Sequence, residues 1–186
     1  MADPLIMVNG LPGSGKTTLA TQLADRLCVP LVSKDAVKEA LLEVVPAMKS
    51  ATIGSIAMDA AWGLVADIAG VVVLESWWFK PRDLQHVVAG LRRCANPAVT
   101  EVWCDVPAEL ARSRFAARQR PAPYEDARHL VERWPDWVAR AEPLGVGRVV
   151  RVDTGIEVQI EAVVQLLNLD ARAGNGPTRA VTTEGL

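Results

Sequence analysis

One short run near the start constrains this chain more than any other feature. Gly10-Leu11-Pro12-Gly13-Ser14-Gly15-Lys16-Thr17 fits the pattern G-x-x-x-x-G-K-[ST] in full. Glycines let the backbone curl so that successive N–H groups point inward at one phosphate group. A helix that starts directly after them aims its positive N-terminal end at the same anion. Leu5-Ile6-Met7-Val8 before the loop is a continuous apolar run, as expected of a strand buried on both faces. After it, Leu19, Leu23 and Leu27 fall on one helical face. Gly10, Pro12, Gly13, Ser14 and Gly15 are therefore expected to cradle a phosphate, with Lys16 reaching the outer phosphates as a point charge. The Thr17 hydroxyl is placed to ligate Mg²⁺, and Thr18 offers one further phosphate contact.

The remaining pattern alternates. Strands are predicted at 30–33, 71–74, 99–104 and 149–152. Helices are predicted at 17–27, 35–45, 50–69, 82–91, from 106 to about 118, 124–141 with a break near Pro135, and 156–169. Strands alternating with helices predict an α/β fold, a parallel five-stranded sheet with helices on both faces. Residues 170–186 carry Gly174, Gly176 and Pro177 without apolar periodicity, and are expected to form a mobile tail beyond a domain spanning 1–169.

Composition narrows the partners. A formal net charge of −2 argues against a long nucleic acid as the main ligand. The apolar stretch from Ala51 to Leu74 is interrupted by Asp59 and Asp67, which makes it a poor membrane span. The opening Met1-Ala2-Asp3-Pro4 lacks the positive region of a signal peptide. Cys28, Cys94 and Cys104 are scattered, fit no zinc spacing, and read as reduced thiols in apolar settings. These features point to a cytoplasmic, single-domain chain of undetermined oligomeric state. A phosphate loop alone does not name a reaction. No Asn-Lys-x-Asp guanine-reading motif and no Leu-Ser-Gly-Gly-Gln signature occurs, and the strand at 71–74 runs into Glu75-Ser76 rather than an Asp-Glu pair. A compact nucleotide-dependent kinase survives these exclusions.

Ser33-Lys34-Asp35 follows the second strand, so Asp35 should share the rim of the sheet with the phosphate loop. A carboxylate there can accept the proton of an attacking hydroxyl. It can equally well cap a helix. Lys38, one turn on, faces the same way, although a solvated lysine is the plainer reading. Glu75 can hold Mg²⁺ through water or bind substrate. Trp77 and Trp78 read either as a stacking wall for the acceptor or as core.

The phosphate loop, the Ser-Lys-Asp turn and the later Arg114-x-x-x-Arg118 resemble the small P-loop kinases related to polynucleotide 5′-kinase, zeta toxin, chloramphenicol phosphotransferase and gluconate kinase. The resemblance covers about residues 4–169 and implies the three-layer P-loop NTPase fold with an Arg-rich lid at about 115–128. It implies ATP and Mg²⁺, and Asp35 as the base. Arg114 and Arg118, four residues apart, would share a helix face. The resemblance makes Arg114 a nucleotide contact and Arg118 the lid arginine at the transferring phosphoryl, with Arg120 as its substitute and an acceptor contact. Arg112, Arg133 and Arg140 read as surface charges, and His129 as structural or exposed. The resemblance also sets Thr154 and Gly155 beside the adenine, while Asp153 or Thr154 can cap the last helix. The expected activity is transfer of the γ-phosphoryl group to a hydroxyl of a small molecule. A polynucleotide or nucleotide kinase, and a nucleotide-gated, toxin-like or regulatory binding module, are the alternatives.

Overall fold

The computed structural model describes residues 2–46, 48–118 and 126–167. Thirteen elements follow one another as β1 (Ala2–Asn9), α1 (Lys16–Leu27), β2 (Leu31–Ser33), α2 (Lys34–Val44), α3 (Ser50–Asp67), β3 (Gly70–Glu75), α4 (Lys80–Arg93), β4 (Val99–Asp105), α5 (Ala108–Ala116), α6 (Asp126–Glu132), α7 (Trp134–Arg140), β5 (Arg148–Asp153) and α8 (Ile160–Leu167). The five strands pair in the order β2-β3-β1-β4-β5, all parallel. Strand side chains alternate between faces. Leu5 and Met7 join Val72 and Leu74 against Trp62 and Val65 of α3 and Val87 and Leu91 of α4. Ile6 and Val8 join Val73, Val102 and Val150 against Leu19 and Leu23 of α1 and Val163 and Leu167 of α8. The result is the predicted sheet with helices on both faces, a three-layer P-loop fold.

A third apolar cluster lies apart from the two faces. Leu11, Phe79, Ala111, Phe115, Trp134 and Trp137 pack together and join the phosphate loop to α5 and α7. No helix among the described residues is long and apolar enough to cross a membrane.

Several boundaries differ from expectation for local reasons. The last helix starts at Ile160 rather than Ile156, which is 70% exposed. Val158 and Ile160 make the apolar contact instead. Asp153 accordingly does not cap that helix; its Oδ1 accepts the Gly155 N–H at 2.8 Å and closes a turn. α4 starts two residues early because Pro81 falls in the first turn, where no amide is needed. The Asp83 carboxylate accepts the Phe79 N–H at 2.7 Å. The helix expected over 124–141 is two, split at Arg133, with Pro135 in the first turn of α7. Cys28 is exposed rather than in an apolar setting, because it takes the left-handed position (φ 53°) that ends α1. Arg120, most of the expected lid and the tail from 170 lie outside the described residues.

Candidate functional site: a phosphate loop facing an aromatic crevice

In a parallel sheet the carboxyl ends of the strands open on one crevice. The loop from Gly10 to Gly15 leaves β1 at that end. Gly15 is the N-cap of α1 with φ 88°. Gly13 has φ 82°, and a Cβ there would collide with the Ala111 carbonyl, so the loop lies directly on α5. Lys16 is 5% exposed, and its Nζ donates to the Leu11 carbonyl at 3.1 Å. Burial holds its ammonium below the ordinary value; Glu75, Cys104 and Asp35 oppose that shift, and Arg118 adds to it. Pro12 and Ser14 are buried in the loop, while Thr17 and Thr18 are exposed in the first turn of α1.

Strand order brings Glu75 to the loop. β3 lies between β2 and β1, so Glu75 stands in register with Ser33 on one side and Val8 on the other. Its carboxylate is buried and accepts from Ser33 Oγ at 2.7 Å and from Thr17 Oγ1 at 3.5 Å. The Ser33 hydroxyl also accepts the Ala36 N–H at 3.4 Å and so caps α2. Asp35 sits in the first turn of α2, half-buried, with Lys34 Nζ at 3.3 Å from its Oδ1. Of the two roles open to it, the cap belongs to Ser33.

A crevice of about 970 Å³ opens beside Lys16 and Asp35. Trp77 and Trp78 both line it, Trp78 being 2% exposed, and their indole N–H groups have no hydrogen-bond partner among the described residues. Lys38 is 4% exposed and lines the same space, which corrects the solvated reading. Packing of α2 between the crevice and α3 buries it. His129, Arg133 and Arg140 also face the crevice, the last with its guanidinium 5.5 Å from the Phe79 ring centre. Arg133 and Arg140 are exposed, as surface charges would be, and with the partly buried His129 they stand on the rim of the crevice.

The two arginines expected to share a face are separated. α5 ends at Ala116, and the Arg118 N–H turns back to the Phe115 carbonyl at 3.3 Å. Arg118 therefore faces the crevice with Phe115. Arg114 points to the other side, where its Nη1 donates to the Thr154 carbonyl at 3.0 Å. Thr154 is tied to β4 through the Asp105 carbonyl, which accepts both its N–H (2.8 Å) and its hydroxyl (3.0 Å). A Cβ built on Gly15 would lie 3.7 Å from the Thr154 Cβ, so Thr154 borders the phosphate loop, while Gly155 lies against Asp153, Pro107 and Leu110.

The donor set fits a nucleoside triphosphate with its magnesium. The loop amides and the buried Lys16 ammonium suit phosphate oxygens. Thr17 and Glu75 supply one hydroxyl and one carboxylate oxygen. Magnesium bound with a phosphate ligand needs no more from protein, the rest being water. No cluster of three or more His, Cys, Asp or Glu suited to a metal occurs among the described residues.

Reasoning from sequence missed Asn9, the Ser33–Glu75 link and the aromatic contribution of Phe115 and Trp137. A polar residue ending an apolar strand was the available signal for Asn9. The others depend on strand order and on helix packing.

Known proteins agree with this architecture. A candidate kinase from Chloroflexus aurantiacus J-10-fl is 25% identical, with TM-score 0.72, over 90% of this chain and 97% of that one. A sugar kinase from Janibacter sp. HTCC2649 is 19% identical, with TM-score 0.53, over 89% and 92%. Shikimate kinase from Bacteroides thetaiotaomicron is 19% identical, with TM-score 0.56, over 88% and 96%. No curated protein is significantly similar. The family model described as AAA domain matches residues 5–144, and the chain belongs to that AAA-domain family.

Proposed function

We propose that the protein is an ATP- and Mg²⁺-dependent phosphotransferase that moves the γ-phosphoryl group to a hydroxyl of a small molecule. The observation that carries this reading is the meeting, at one crevice, of a buried phosphate-loop lysine, a half-exposed carboxylate at Asp35 and an aromatic wall. The similarity to a candidate kinase at 25% identity supports it, as do the kinase names of the structural neighbours.

When bound, magnesium would neutralise phosphate charge, and Thr17 and Glu75 are the residues that would hold it. Gly10, Pro12, Gly13, Ser14, Gly15, Lys16, Thr17 and Thr18 bind the phosphates. Arg114, Thr154 and Gly155 border the base. Trp77, Trp78, Lys38 and Glu75 orient the acceptor. Asp35 takes the proton of the acceptor hydroxyl as its oxygen captures the phosphoryl group and ADP departs. Lys16 and Arg118 face the charge that spreads over the moving phosphoryl oxygens.

The test is incubation with Mg·ATP and a pooled library of hydroxylated metabolites and antibiotics, reading by mass any compound that gains one phosphoryl group. Asp35→Asn should retain ATP affinity and lose turnover by about a hundredfold or more, the usual worth of a general base. Transfer at the native rate by Asp35→Asn removes the proposed base. Tight ATP binding without any transfer favours a nucleotide-gated binding module instead.

A further inference from the structure

Asn9 and Glu101 are both 0% exposed, and neither has a place in the proposed chemistry. Asn9 ends β1. Its Oδ1 accepts two amides, that of Gly10 at 2.8 Å and that of Trp78 at 3.0 Å. Its Nδ2 donates to the Trp78 carbonyl at 3.3 Å and to Glu101 Oε1 at 2.9 Å. Glu101, in β4, accepts two further amides: Leu144 at 2.9 Å on Oε1 and Gly145 at 3.0 Å on Oε2. The amide orientation of Asn9 is fixed, because two donors face one end and two acceptors the other.

We propose that Asn9 and Glu101 form a positioning clasp that sets the phosphate loop, the tryptophan wall and the chain returning from α7 in one register. The first bond holds Gly10, where the loop begins. The second and third hold Trp78 by both backbone groups. The last two hold the connector after α7, the helix that brings Trp137 and Arg140 to the crevice. These three segments are far apart in sequence; besides the apolar cluster of Leu11, Phe79 and Trp137, these buried hydrogen bonds tie them by direction as well as by contact. An apolar side chain at position 101 would fill the same interior without burying a charge, and burying a carboxylate costs heavily unless every lone pair is met. What the pair supplies is direction: each bond fixes one segment relative to the next. Asn9 and Glu101 touch no expected substrate atom, so they act through the loop and the wall. The structural part of the proposal is independent of the reaction; its consequence for nucleotide affinity rests on the phosphotransfer reading.

The experiment uses the full chain and Mg·ADP. Asn9→Asp keeps the shape and both acceptor functions but turns the donor towards Glu101 and the Trp78 carbonyl into a second carboxylate oxygen. Hydrogen exchange should accelerate together in peptides containing Gly10, Trp78 and Leu144–Gly145, and the Kd for Mg·ADP should weaken by about tenfold. Adding Glu101→Gln puts a donor back between the two side chains, at the expense of the Leu144 amide that shared Oε1, so it should recover much of the protection at Gly10 and part of the Mg·ADP affinity while Leu144 stays fast. Exchange that changes only around residues 9–10, or a Kd within about twofold of native, or no recovery at Gly10 in the double variant, overturns the proposal. If Asn9→Asp fails to fold, Glu101→Gln alone decides. Opening at 144–145 with weaker Mg·ADP binding supports the clasp, and opening with native affinity overturns it. A native chain that does not bind Mg·ADP refutes the phosphotransfer reading, and the exchange pattern then decides the clasp alone.

Discussion

Gly90 tests whether packing or helix propensity governs the wall of the crevice. It lies inside α4, where replacing glycine by alanine ordinarily stabilises a helix by about 1 kcal/mol. Here a Cβ would stand 2.6 Å from Trp62 Nε1 and closer still to its Cδ2 and Cε2. Trp62 is 3% exposed and packed among Ala61, Val65, Val87 and Leu91, so its ring has no room to retreat except into the crevice that it lines. Overpacking of a filled core costs about 1–3 kcal/mol, and an overlap with three ring atoms belongs at the upper end. The net effect of Gly90→Ala is then a loss of about 2 kcal/mol, which for a chain of this size lowers Tm by about 4–8 °C. The assay is thermal or urea unfolding of four proteins: native, Gly90→Ala, Trp62→Leu and the double variant. With the indole gone, Gly90→Ala should recover its propensity gain of about 1 kcal/mol. The coupling between the two sites is therefore about 3 kcal/mol, near the top of what neighbouring residues show. A higher Tm for Gly90→Ala in the native background, or a coupling under about 0.5 kcal/mol, refutes the packing argument.

Two further outcomes follow from the buried ionisable groups. Burial holds the Lys16 ammonium below its ordinary 10.5. Between the folded and unfolded values the unfolded chain binds the extra proton, so the Lys16 contribution makes stability rise with pH in that window. Nucleotide-free Lys16→Met should therefore be more stable than native at neutral pH, by a margin that shrinks as pH climbs through the window, while losing Mg·ATP binding. Urea unfolding across pH measures this, and equal or lower stability at neutral pH contradicts it. Burial pushes the Cys104 thiol up to about 12 and Cys94 upward as well. Iodoacetamide at mildly alkaline pH should thus label Cys28 quickly in the native chain and all three thiols only after unfolding, as read by mass; fast native labelling of Cys104 would show that the loop does not seal it.

The sequence displayed those features whose cause is local. Continuous apolar runs such as Leu5–Val8 and 71–74 mark strands buried on both faces, and the glycine pattern marks the phosphate loop, because backbone curvature is written in the residues that form it. Pairing order is not local. That β3 sits between β2 and β1 was not readable from spacing, and it is this order that sets Glu75 between Ser33 and Thr17. Lys38 shows the same dependence: a lysine in a helix reads as solvated until packing against another helix and a crevice buries it. The shared helix face expected of the two arginines is absent for a different reason. The i, i+4 spacing presumes a helix reaching Arg118, but α5 closes at Ala116; Arg114 bonds the Thr154 carbonyl while Arg118 lines the crevice.

That separation changes what the arginines can do. Guanidinium groups on one helix face would move as a unit and approach the same phosphate together. Split as they are, Arg114 donates to the carbonyl of Thr154, a residue whose own N–H and hydroxyl donate to the Asp105 carbonyl of β4, and so belongs to the frame around the loop. Arg118 lies past the end of its helix, with its guanidinium 6.0 Å from the Phe115 ring centre. A group that must follow charge as it develops gains from a hinge, whereas a group that fixes a nucleotide gains from a frame. In the phosphotransfer proposed above, the boundary of α5 at Ala116 would thus give one arginine to each task.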